Sequence, residues 1–139
     1  MDKERILAKL DEVEQYLSEI YANIPQSYEE YRANPILKRA MERLLQITIE
    51  ACIDTCAILV KEMKLGLPSS DEDFIDKLKG KVLSEENVSN LKMMKKFRNV
   101  LVHGYAKIDD YKVFKILNDN MEDIEKFIDE IKDFLRKHS

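Results

Sequence analysis

Between Asp2 and about Ala22 the apolar positions fall at Ile6, Leu10, Val13, Leu17 and Ile20. Steps of four and three keep these side chains on one side of a helix, so the segment predicts a first helix with a single buried seam. Asn23 to Ala33, polar and carrying Pro25, predicts a connection. Asn34-Pro35 pairs an N-cap with a proline at the first helical position, opening a second helix that runs to about Leu65, where Gly66 and Pro68 stop it. From Ile47 to Val60 this helix is apolar nearly all round, broken mainly by Glu50 and Asp54. Such a helix needs cover on every side, from the rest of the bundle or from a second subunit. Ser70 ahead of Asp71, Glu72 and Asp73 predicts a short helix closed by Gly80, and Ser84 ahead of Glu85 and Glu86 starts another. That fourth helix carries Val88, Leu91, Met94, Leu101 and Val102 and ends near Gly104. A last helix from about Asp110 to Arg136 aligns Phe114, Leu117, Met121, Ile124, Ile128, Ile131 and Leu135 in an unbroken heptad-like seam. The expected fold is all-α: an antiparallel bundle of four main helices plus a short connecting helix, in one domain over residues 1–139. Caps end each run after a few turns, which favours a globular bundle over a coiled coil.

Composition agrees. The 139 residues are 45% hydrophobic, enough for one core, and 36% charged, which suits solvated helix faces. Three glycines, three prolines and no tryptophan leave little turn chemistry for a many-stranded sheet. The opening Met1-Asp-Lys-Glu-Arg has no apolar run behind it, and no stretch reaches the length of a membrane span, so a cytoplasmic protein is expected. Cys52 and Cys56, four apart in an apolar helix with no further Cys or nearby His, read as small core hydrophobes, and no metal or cofactor is expected. The net charge of −4 argues at first against a nucleic-acid partner. Between Lys92 and Lys115, however, seven cations (Lys92, Lys95, Lys96, Arg98, Lys107, Lys112 and Lys115) face only Asp109 and Asp110, giving +5 and leaving −9 for the remainder. A basic patch on an acidic body can attract RNA, although a lysine run also serves simply to solvate a helix face.

Of the two histidines, His138 is next to the C-terminus and His103 lies inside the basic stretch, in Arg98-Asn-Val-Leu-Val-His103-Gly104-Tyr105. Histidine titrates near neutral pH and can take a proton from an RNA 2'-hydroxyl or give one to the leaving 5'-oxygen. Arginine stays charged and can hold the phosphate as negative charge builds. Together they suit metal-independent phosphodiester cleavage that uses the RNA's own 2'-hydroxyl. Residues five apart on a smooth helix are about 140° apart in projection, so Arg98 and His103 share a face only if the helix frays or ends near His103, which Gly104 would permit. One histidine per chain is awkward for a reaction that benefits from a base and an acid, and a two-fold dimer supplies two. The spacing alone also admits a plainer reading, with Arg98 in a surface ion pair and His103 at a helix C-terminus.

The string from Arg98 to Tyr105 resembles the Arg-x4-His-x-Tyr signature of HEPN domains, specifically the HepT toxins. Ala40-Met-Glu-Arg43, Leu44-Leu-Gln46 and Glu50-Ala-Cys-Ile-Asp54 resemble the second-helix pattern of the same group, and the helix order fits nearly the whole chain. The resemblance implies a HEPN fold and a homodimeric ribonuclease toxin of a type VII toxin–antitoxin pair. Its partner would be a minimal nucleotidyltransferase (MNT) antitoxin. It also implies Arg98 as the phosphate-stabilising arginine, His103 as the catalytic histidine, Asn99 as support for their geometry and Tyr105 as the acceptor of AMP from the antitoxin. Lys92, Lys95, Lys96 and Lys107 are the candidates for RNA contact. The polar stripe Glu42, Gln46, Glu50 and Asp54 is expected to pair with the fourth helix and not to act on the phosphate, which carboxylates repel. A HEPN module that only binds a nucleotide or partners a nucleotidyltransferase, and a purely structural bundle, are the competing readings. No single-strand recognition motif points to a particular RNA.

Overall fold

The computed structural model describes residues 1–67, 69–104 and 107–138. Pro68, read as a stop signal, and Tyr105, read as a modification site, lie outside the described residues. Among the described residues the chain forms seven helices: α1 (Lys3–Asn23), α2 (Tyr28–Ala33), α3 (Pro35–Glu62), α4 (Asp71–Leu78), α5 (Glu85–His103), α6 (Asp110–Asp119) and α7 (Met121–Lys137). This corrects the expectation of four main helices and one connector in two places.

The first is the 23–33 connection, which contains α2. Ser27 accepts a bond from the Glu30 amide at 3.2 Å, and the short helix buries Tyr31 completely. Ser27-x-x-Glu30 is itself a helix-start signature, hidden behind Pro25 and a run too short to display a period. The second is the last helix, which breaks at Asn120. Asn118, Asp119 and Asn120 are weak helix formers whose side chains compete for backbone or neighbouring groups. Asn120 closes α6 through its amide to the Ile116 carbonyl at 2.9 Å, while its side chain donates to Asp123 at 3.1 Å. The apolar seam runs through the break because Leu117 and Met121 both stay buried. Periodicity therefore reads as one helix where the backbone makes two.

Elsewhere the elements lie close to where the sequence signals put them, except that α3 ends at Glu62 and not near Leu65, with Lys64 at φ +54° ahead of Gly66. The α1 seam of Ile6, Leu10, Val13, Leu17 and Ile20 is buried, with Asp2 capping the Arg5 amide at 3.1 Å. Asn34, Ser70 and Ser84 each accept a bond from the amide three residues on. Gly80, at φ +76°, takes the left-handed turn that closes α4.

The long α3 is central, packed by α1, α4 and α5. Thr48, Ile49, Ala51, Cys52, Ile53, Thr55 and Cys56 are all buried, so most of the nearly all-round apolar stretch is covered within the chain, with Ile47, Ala57 and Ile58 half-buried. The two threonines return their hydroxyls to the carbonyls four residues back, at 2.6 and 2.8 Å, and so bring no orphaned polar group into the core. Buried side chains from all seven helices join one apolar cluster, and no described helix is long and apolar enough to cross a membrane.

Candidate active site

The site is built on α5. Its buried stripe of Val88, Leu91, Met94 and Phe97 anchors the helix, and the next residue, Arg98, enters a polar niche between α3 and α4 with a side chain only 16% exposed. Three neighbours hold the guanidinium. Nη2 donates to Asp71 Oδ2 at 2.8 Å, Nη1 to Glu50 Oε2 at 3.2 Å and Nε to Asn99 Oδ1 at 3.1 Å. Glu50 is in turn steadied by Gln46, whose Nε2 donates to the same Oε2 at 3.3 Å. A buried cation requires compensation of this kind, since desolvating it without partners is costly.

The polar stripe on α3 divides. Glu50 reaches Arg98 on α5, as the sequence reading expected. Glu42, its side chain largely covered, pairs with Arg39 on its own helix at 3.0 Å, and burial pushes its carboxyl up. Asp54 faces Lys9 of α1 at 3.5 Å.

His103 is the last residue of α5, exposed, and without a hydrogen bond among the described residues. The helix ends there by another route than expected. Gly104 stays right-handed at φ −77° and ψ −24°, and its amide reaches the Val100 carbonyl at 2.6 Å. A Cβ at this position would collide with that same carbonyl oxygen, so glycine is required for close approach and not for a left-handed turn. Helical geometry continues through His103, and five positions leave it about 140° around the axis from Arg98. No hydrogen bond joins the two. His103 shares instead the outer face carrying Met93, Lys96 and Val100, with Met93 51% and Val100 43% exposed. Met93, Lys96, Phe97 and Val100 line a groove of about 350 Å³ together with Lys112 and Ile116 of α6.

The candidate RNA-contacting lysines also separate. Lys92 pairs with Asp76 and Lys95 lies 3.9 Å from Glu72, both on α4, whereas Lys96 and Lys107 are exposed. Asp71 is a partner of Arg98 that the sequence reading missed. In the sequence it is one of three acids at a helix start, 27 residues before Arg98, and nothing local ties it to the motif.

Comparison with known proteins agrees with the motif. Residues 6–131 match the family described as ribonuclease HepT-like. The mRNA nuclease HepT of Shewanella oneidensis is 35% identical over 89 residues, covering 63% of this chain and 67% of that protein. The tRNA nuclease HepT of Aphanizomenon flos-aquae is 27% identical over 133 residues, covering 94% of this chain and 89% of that protein. Among solved structures, the tri-AMPylated Shewanella oneidensis HEPN toxin in complex with its MNT antitoxin superposes with a TM-score of 0.84 at 27% identity, over 92% of this chain and 96% of that one. With the family match spanning most of the helices and the Arg98 to Tyr105 motif intact, this chain belongs to the ribonuclease HepT-like family of HEPN toxins.

Proposed function

We propose that the chain is the toxin of a toxin–antitoxin pair and cuts RNA with Arg98 and His103 in a cleft shared by two copies. The observation that carries this reading is the division of labour on α5: Arg98 is held from three sides, while His103, in the same motif, is exposed and makes no hydrogen bond among the described residues. A side chain with no structural task at a helix end is free to exchange protons. The RNA 2'-oxygen attacks phosphorus and gives up its proton to a neutral imidazole. The bond to the 5'-oxygen breaks, and a protonated imidazole returns a proton to that leaving group, producing a cyclic phosphate and a free 5'-hydroxyl. Arg98 neutralises charge building on the phosphate, and Asn99 orients Arg98 through Nε. Base and acid are two separate groups, so the second imidazole comes from a second copy.

The groove beside His103 supports that copy's placement. Apolar, exposed and continuous with the histidine's face, it is a surface that a two-fold partner can cover while bringing two imidazoles together. Lys96 and Lys107, exposed near the motif, are the lysines best placed to meet the RNA backbone, with Lys92 and Lys95 available once released from α4. The cognate MNT-type antitoxin silences the toxin by transferring AMP from ATP to the Tyr105 hydroxyl with loss of pyrophosphate, working on its substrate in the cytoplasm.

The test is cleavage of a single-stranded RNA oligonucleotide in the presence of a chelator. The parent should cut, leaving cyclic-phosphate ends, and His103→Ala should lose at least about a hundred-fold in rate, the usual scale of a general acid or base. Its circular dichroism should match the parent's. Cleavage by the variant at the parental rate would remove His103 from the mechanism.

A further inference from the structure

On the reading of Arg98 as the phosphate-binding arginine, the free protein presents a difficulty. Both guanidinium Nη groups, the pair that would grip a phosphate in a fork, already donate to carboxylates. A phosphate brought beside those carboxylates is repelled unless one of them leaves.

The two carboxylates differ in how firmly they are placed. Glu50 lies in the middle of the 28-residue α3, and its Oε2 is held by Gln46 as well as by Arg98. Asp71 is the first residue of the eight-residue α4, and its carboxylate has no partner among the described residues besides Arg98, although its side chain is about as exposed as that of Glu50, 38% against 34%. α4 is also fastened to α5 by ion pairs that run in step with this one: Asp71 with Arg98, Glu72 with Lys95 and Asp76 with Lys92. The short helix thus sets three carboxylates against three cations of the basic stretch. Ser70, and not Asp71, supplies the side-chain cap of α4, so the helix start does not depend on Asp71.

We propose that Asp71 is a displaceable counterion that occupies the phosphate seat on Arg98 and sets the affinity for RNA, whereas Glu50 is the fixed positioning residue that aims the guanidinium. When RNA binds, the Asp71 carboxylate leaves Nη2 for solvent and a phosphate oxygen takes its place, while Glu50 remains on Nη1. No covalent change is involved. Asp71 therefore opposes binding, and Glu50 supports the chemical step.

The experiment measures binding of an unstructured RNA oligonucleotide by fluorescence anisotropy in a His103→Ala background, where the RNA stays intact, and KM and kcat with His103 present. Asp71→Asn should tighten Kd and lower KM by about five-fold or more, since an amide competes poorly with phosphate for a guanidinium. The gain should vanish in an Arg98→Ala background, which separates local displacement from a general loss of negative charge. Asp71→Ala should act like Asp71→Asn, and melting curves check that both variants fold. Glu50→Gln should lower kcat more than it changes KM, with partial recovery in Glu50→Asp. An unchanged or weaker Kd in Asp71→Asn, with Arg98→Ala clearly weakened, overturns the inference and leaves the catalytic reading intact. RNA binding and cleavage undiminished in Arg98→Ala overturn the catalytic reading itself, and the inference with it.

Discussion

Arg98, Lys95 and Lys92 give the 92–115 segment much of its positive charge, yet in the folded chain each faces an acid of α4. Charge counted along the sequence therefore overstates what RNA meets on first approach. Among the described residues, the lysines near the motif that face no acid are Lys96, Lys107 and Lys112, the last lying over the Phe97 ring. Tyr105, two residues beyond His103, belongs to this residue-scale account through its chemistry. On the proposed reading, an AMP group on its hydroxyl would add bulk and an anionic phosphate two residues along the chain from His103. Incubated with a cognate nucleotidyltransferase and ATP, the parent should gain mass in AMP units and lose cleavage. Tyr105→Phe should gain none and continue to cut. AMP on the Phe variant, or full activity of the modified parent, would sink this assignment of the acceptor.

At the scale of elements, α3 shows how burial decides chemistry. Cys52 and Cys56 are completely enclosed by α3's neighbours, and that burial pushes both thiols far above the ordinary cysteine range. The thiolate is the reactive form, so both should resist alkylation by iodoacetamide at pH 8 in the folded protein and react at once in denaturant. Rapid modification of either in the native state would show that the bundle opens around α3. The misread elements have an equally physical origin. The break at Asn120 preserves the apolar period on both sides, so only competition by the Asn and Asp side chains marks it. α2 is six residues long, too short to show a period, and it is stabilised by burying Tyr31 and not by its own propensity. Arg98, Asn99 and His103 could be read together as a motif because they fall in one short run, which α5 carries. Asp71 could not, because its meeting with Arg98 depends on how α4 folds back across 27 residues.

For the whole molecule, the open question is the second copy. The apolar run of α3 argues little for one, since the chain covers most of that helix itself. The case rests on one motif histidine per chain, on its separation from Arg98 around α5, and on the exposed groove beside it. Sedimentation at micromolar concentration should therefore give twice the chain mass of 16.4 kDa. Met93→Glu, which places a charge on the exposed rim of the groove, should shift the protein toward monomer and reduce cleavage in parallel while helicity is retained. A stable monomer that cuts RNA at the parental rate would exclude a shared cleft.

The sequence by itself determined the helical class, the caps at Asn34, Ser70 and Ser84, the α1 seam and the placement of Arg98 and His103 on one helix, because each depends on residues within a few turns of one another. Tertiary structure alone decided that α3 is largely sheathed by its own chain and that Gly104 serves a close approach and not a left-handed turn. It also decided that three cations of the basic stretch meet acids of α4. Each of these depends on which elements pack together, and helical periodicity reports that a face is buried without saying what lies against it.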